Sequence, residues 1–97
     1  MADKVIFKKH ADGEVFAAFP RICGNASPET MLGYAQMGQH SSYDMGYVAE
    51  CRPALPSEYA ALKLEMERSI GYTLQVVRRM QRGDFLTRER ELQAMAG

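Results

Sequence analysis

The stretch GYAQMGQHSSYDMGY, residues 33–47, gathers three tyrosines, a histidine, two serines and an aspartate, with no lysine or arginine. Two chemistries fit those residue types. An imidazole at His40 beside a carboxylate at Asp44 could act as a general base held by its neighbour. Tyr34, Tyr43 and Tyr47, interleaved with Met37, Met45 and His40, suit macromolecular recognition instead, because tyrosine offers contact area with few torsions and methionine adapts its shape. An Asp four residues on in a turn more often bonds its own backbone than a histidine. The balance therefore favours recognition, with Tyr34, Gln36, His40, Tyr43, Asp44 and Tyr47 as the partner-binding candidates and no catalytic residue.

Other chemistries are thinly supplied. His10, Cys23, His40, Asp44 and Cys51 are scattered one at a time, without the paired spacing of a metal site. Gly33, Gly38 and Gly46 make no phosphate-binding fingerprint, and no metal or other cofactor is expected. Gly38 is read as a bulge that could turn His40 and Tyr43 outward. One basic cluster exists: Arg78, Arg79, Arg82, Arg88 and Arg90. It could meet phosphates, and Arg78, Arg79, Arg82 and Arg88 are the nucleic-acid candidates, although Arg88-Glu89-Arg90-Glu91 alternates in sign like a solvated helix face.

These residues must be placed by elements. Val5, Ile6 and Phe7 form one strand and Val15, Phe16 and Phe19 a second, joined by a turn at His10-Ala11-Asp12-Gly13 and stopped by Pro20. RICGNASPET, residues 21–30, reads as a loop. GYAQMGQH extends as a third strand with Tyr34, Gln36, Gly38 and His40 on one face. SSYDMG turns the chain, and YVAEC is a short fourth strand. Pro56 opens a helix, PSEYAALKLEMERSI, whose Leu55, Tyr59, Leu62, Met66 and Ile70 form one apolar stripe, with Leu64 opposite. Gly71 caps it in the left-handed conformation. YTLQVVRRM is a fifth strand, and Asp84 caps a short terminal helix reaching about Met95. The fold class is α+β: an antiparallel sheet of four to five strands with one main helix on one face and a short C-terminal helix. Residues 1–83 form a single domain and residues 84–97 a helical tail.

With 97 residues and equal counts of twelve basic and twelve acidic groups, the chain has a small core and no bulk bias toward nucleic acid or membrane. The first fifty residues carry four basic and six acidic groups, the remainder eight and six. MADKVIFKKH lacks the apolar run of a secretory leader, and no stretch reaches the ~20 apolar residues of a membrane span. Cys23 and Cys51 are expected to be free thiols in a reducing cytoplasm, and the protein to be a monomer or homodimer.

Four elements resemble a group of small uncharacterised bacterial proteins found in genomes, phages and conjugative elements. They are Phe19-Pro20, the Tyr-rich strand ending in Gly38-Gln39-His40, the Pro-x-Glu-Tyr helix start at Pro56–Tyr59, and Gly71-Tyr72. The likeness spans roughly residues 4–80. It implies a mobile-element setting and brings no catalytic residues. Where the group has a second histidine this chain has Gln36, and where it has Thr or Ser before the helix proline this chain has Leu55. The second change removes an N-cap usually worth about 1 kcal/mol. Together these readings point to a non-enzymatic accessory protein that binds a host protein or nucleoprotein complex. Inhibition of a host defence of the CRISPR type is its concrete version. Nucleic-acid binding through the arginines, or a small enzyme at His40 and Asp44, are the alternatives.

Overall fold

The structure, a computed structural model, describes residues 2–24, 29–35 and 39–96. In chain order the elements are β1 (Asp3–Lys9), β2 (Val15–Phe19), β3 (Thr30–Ala35), β4 (Gln39–Asp44), α1 (Met45–Glu50), β5 (Arg52–Pro53), α2 (Pro56–Glu65), a π-helical turn (Met66–Ile70), β6 (Leu74–Val76) and α3 (Arg82–Ala96). The class is α+β, with a six-stranded sheet in the order β4-β3-β2-β1-β5 and β6 also on β1.

The first hairpin forms as its turn chemistry requires. Lys9 pairs with Val15, and His10 N–H donates to Glu14 O at 2.8 Å. The three-residue loop closes on Gly13, whose φ of +90° a side chain would resist.

The sheet is mixed rather than purely antiparallel. β5 pairs antiparallel with Lys8 and Lys9, while β6 pairs parallel with Asp3, Lys4 and Val5. The two short strands run toward each other along one edge of β1, and α2 is the excursion between them. Alternating residues signal a strand, but its direction is set by where the helix returns the chain. β6 is accordingly three residues long, shorter than the expected run through Met80.

Alternation divides the side chains between two faces. One face carries Val5, Phe7, Ala17, Phe19 and Tyr34 under Leu62 and Met66 of α2 and the π-turn. Tyr59 stacks on Phe7 with centroids 4.3 Å apart. Leu55 and Ile70 fall off the expected stripe, at 62% and 41% exposed. Leu55 is the extended residue before the helix, and the wider π-turn rotates Ile70 away. Gly71 ends the turn at φ +88°, donating its N–H to Met66 O at 3.1 Å. Leu64 is exposed, opposite the buried residues.

The other face carries Phe16, Ala18 and Met31 beneath Val48 of α1. YVAEC is not a strand. The Asp44 carboxylate accepts the N–H groups of Gly46 (2.8 Å) and Tyr47 (3.2 Å), and this cap overrides the strand preference of Tyr47 and Val48. SSYD, in turn, is strand rather than turn, paired with β3 from Thr30↔Asp44 to Ala35↔Gln39. Gln36 and Gly38, and with Gly38 the expected bulge, lie outside the described residues.

α3 begins at Arg82, earlier than expected, and Asp84 works from inside its first turn: Gln81 N–H donates to Asp84 Oδ2 at 2.9 Å. The helix docks by two buried charges where β2 leaves the sheet and β3 enters. Asp84 is fully buried and takes Arg21 at 2.8 Å and Lys4 at 3.1 Å. Burial alone would raise its carboxyl, but the bonds from Arg21, Gln81 N–H and Lys4 outweigh it and hold it below the usual carboxylate range. Arg88 donates to the carbonyls of Pro20 (3.4 Å), Ile22 (3.2 Å) and Thr30. No helix among the described residues is long and apolar enough to cross a membrane.

Candidate functional site

The pairing of β3 with β4 separates the recognition candidates onto opposite faces. Tyr34 and His40 are cross-strand partners and share the α2 face, reached through a hairpin rather than along one strand. Tyr43 has the opposite parity and points to the α1 face. Tyr34 and His40 therefore do not share a surface with Tyr43.

On the α2 face Tyr34 is 1% exposed and belongs to the core. Its hydroxyl donates to Glu65 Oε2 at 2.8 Å, tying β3 to α2. It cannot meet a partner in the folded protein, which corrects its place among the contact residues. His40 is exposed; its ring lies edge-on to Tyr34, and Nε2 shares a 2.9 Å hydrogen bond with the Tyr72 hydroxyl. Burial and the nearby Asp3 raise the Tyr72 phenol above its ordinary value, so it is an intact O–H at neutral pH.

Asp44 does not orient His40. Four residues along a strand separate the two by about 13 Å, and the carboxylate is committed to the N-terminus of α1. The acid–base pair of the enzyme alternative is not assembled.

On the α1 face a different group forms. His10 stacks on Phe16 at 4.3 Å, and Tyr43 packs on Phe16 at 4.6 Å. Tyr47, 41% exposed on α1, leans over both. The Tyr47 hydroxyl and His10 Nδ1 are hydrogen-bonded. The neighbouring Cys51 thiol, withdrawal from water and the nearby Tyr43 raise the Tyr47 phenol above its ordinary value. An open cleft of about 360 Å³ adjoins them, lined by Lys9, His10, Tyr47, Glu50, Cys51 and Arg52. Imidazole, phenol and thiol thus meet at its wall, with cationic side chains beside them. The arrangement offers hydrogen-bond donors and acceptors on a rigid aromatic base, which is chemistry of recognition.

His10 is the residue that sequence reasoning missed. Its place beside Asp12-Gly13 suggested a turn residue. Strand parity was the available signal, because His10 continues the Ile6, Lys8 series and so shares the face of Phe16.

The arginine candidates also divide. Arg88 is 3% exposed with its guanidinium spent on backbone carbonyls, so it is unavailable to phosphates. Arg78, Arg79 and Arg82 are exposed and hold no ion pair among the described residues. Cys23 and Cys51 are unpaired and half-buried. No group of three His, Cys, Asp or Glu residues among those described could hold a metal ion. No protein-family model matches the chain, and no curated protein or solved structure is significantly similar to it.

Proposed function

We propose that this is a small non-enzymatic binding protein of a phage or mobile element, acting stoichiometrically on a host protein or nucleoprotein complex. One observation carries the reading. Tyr47 stands at the mouth of the α1-face cleft with its hydroxyl already fixed by His10 and its ring supported by Phe16. A prearranged, half-exposed tyrosine over a rigid sheet loses little freedom on binding, which is the usual character of an interface anchor. His10 and Tyr43 complete the contact, while Asp44 serves by capping the helix that presents Tyr47. His40 belongs to the opposite face and is a separate contact. The likeness to mobile-element proteins supports the setting, and inhibition of a host defence such as CRISPR is its specific form.

The test is affinity capture from host lysate with tagged wild type, Tyr47→Ser and His10→Ala, each with and without nuclease. A discrete protein retained after nuclease by wild type, and reduced about tenfold or more by both variants, supports the reading. Equal capture by all three proteins removes the α1-face site. A second reading is favoured by Arg78, Arg79 and Arg82, which are exposed and hold no ion pair among the described residues: contact with nucleic acid. It requires recovered material that disappears with nuclease and binding that weakens steeply with salt.

A further inference from the structure

On the far side of α1 from the tyrosine cleft lies a second cavity of about 400 Å³, between α1 and the segment leading into α3. Its walls are Ile6, Met31, Met45, Val48, Met80 and Phe85, with Gly46 and Ala49 at α1 and Arg79 beside it. Its two charged lining residues are Arg79, which is exposed, and Lys8, which is buried. Lys8 is only 8% exposed, and among the described residues its ammonium holds a single hydrogen bond, to Cys51 O at 3.3 Å. Among the described residues Lys4 and Arg21 pair with Asp84, Lys9 with Glu58 and Lys63 with Glu67, and Lys8 enters no such pair.

A recessed ammonium with one carbonyl acceptor and apolar walls is incompletely compensated, since charges withdrawn from water are ordinarily paired. An anionic group inside the cavity would supply that pairing. The remainder of the occupant must be apolar, because no other wall residue except Arg79 carries a charge or a polar side chain. A peptide strand or loop would bring backbone N–H and C=O groups for which this lining offers no partners. A hydrocarbon chain ending in one carboxylate needs a cation and apolar walls and nothing more. Three methionines suit such a chain, because they adapt to it. The cavity volume lies within the usual range for small-molecule sites.

We infer that this cavity binds an unbranched monocarboxylate of fatty-acid type, its carboxylate on Lys8 and its chain among Met31, Met45, Met80 and Phe85. The site is separate from the tyrosine cleft and does not depend on the function proposed above.

The experiment follows the methyl resonances of ¹³C-methionine-labelled full-length protein during titration with decanoate, decanol and decyltrimethylammonium, all below their aggregation concentrations. Decanoate should shift the Met31, Met45 and Met80 methyls saturably, and octanoate should bind about tenfold more weakly, as loss of two buried methylenes requires. Decanol should bind at least tenfold more weakly than decanoate, and the cationic amphiphile should not compete. Lys8→Met, which keeps the side-chain volume and removes the charge, should abolish the preference for decanoate over decanol. Ala49→Trp, at an exposed position on α1, should block both ligands and covers the case in which Lys8→Met does not fold. Equal binding of decanoate and decanol to wild type would overturn the proposal. So would unperturbed methionine methyls at saturating decanoate, or a leucine- and glutamate-rich helical peptide that shifts those methyls where decanoate does not.

Discussion

The ring of Tyr43 lies directly over Gly33 on the neighbouring strand. A Cβ at Gly33 would fall inside van der Waals contact with Tyr43 Cε2 and Cδ2. The absent side chain of one residue is thus the seat of the other, and it lets Tyr43 lie flat enough to pack on Phe16. Gly33→Ala is expected to push the ring off and cost about 1–3 kcal/mol, in the range of other overpacking substitutions. Urea unfolding of Gly33→Ala, Tyr43→Ala and the double variant checks this. The cost of Gly33→Ala should nearly vanish once Tyr43 is alanine; an undiminished cost would place the strain in the backbone instead.

Asp84 should make stability fall in acid. Its folded pKa is lowered, so its contribution is fully present above the unfolded value of about 4 and is lost as pH falls through the folded value. Asp84→Asn is expected to cost about 2–3 kcal/mol at neutral pH, because the part-buried Lys4 loses its counter-charge. Arg21 is 43% exposed and recovers water, which limits the loss. Unfolding free energies at pH 3 and pH 7 decide the matter. The difference between wild type and variant should shrink at the lower pH, and a constant gap would assign the effect to packing.

The Asp84 cluster also shows what the sequence could and could not reveal. The Asp-Gly hairpin, the core residues Leu62 of α2 and Met66 of the π-turn, and the Gly71 cap were legible, because each depends on neighbours along the chain. Asp84 was legible as a helix-start residue for the same reason. Its ties to Lys4 and Arg21 were not, since they join residues 80 and 63 positions away. The same limit hid the split of Tyr34 and Tyr43 between two faces. Pairing Tyr34 across from His40, rather than placing both along one strand, changes which residues are opposite, and hydrophobic alternation does not register such a change of pairing. The Asp44 cap was visible as a local backbone bond, yet Tyr47-Val48 also read as strand, and only the observed geometry decides between them.

Arg88 and Arg79 should behave as opposites although both were candidates for phosphate contact. Arg88→Ala removes a guanidinium from three carbonyls and is expected to destabilise by about 2–4 kcal/mol. It should also speed amide exchange throughout α3, whose docking depends on it. Arg79→Ala, at an exposed position, should stay within about 0.5 kcal/mol of wild type. Thermal unfolding together with hydrogen exchange separates the cases. Protected α3 amides in Arg88→Ala would show that Asp84 alone holds the helix.

Leu55 stands at the N-cap of α2 with no side-chain oxygen to offer and its own side chain largely in water. Half of a reciprocal cap already exists: Leu55 N–H donates to Glu58 Oε1 at 2.9 Å. The Lys9 ammonium and that same N–H hold the Glu58 carboxyl below its ordinary value, so it is ionised at neutral pH. Leu55→Ser would supply the missing half, a hydroxyl accepting the N–H of Glu58. We expect a gain of about 1 kcal/mol, which for a chain of this size raises Tm by about 4–8 °C. The hydroxyl does not titrate, whereas the Glu58 half is present above the unfolded carboxyl value and lost as pH falls through the folded one. The increment from Leu55→Ser should therefore persist in acid while the stability of both proteins declines. Melting curves of wild type and variant at pH 3 and pH 7 read both effects. A variant no more stable than wild type at either pH would mean that Leu55 packing against the Phe7 and Tyr59 side of α2 outweighs the cap.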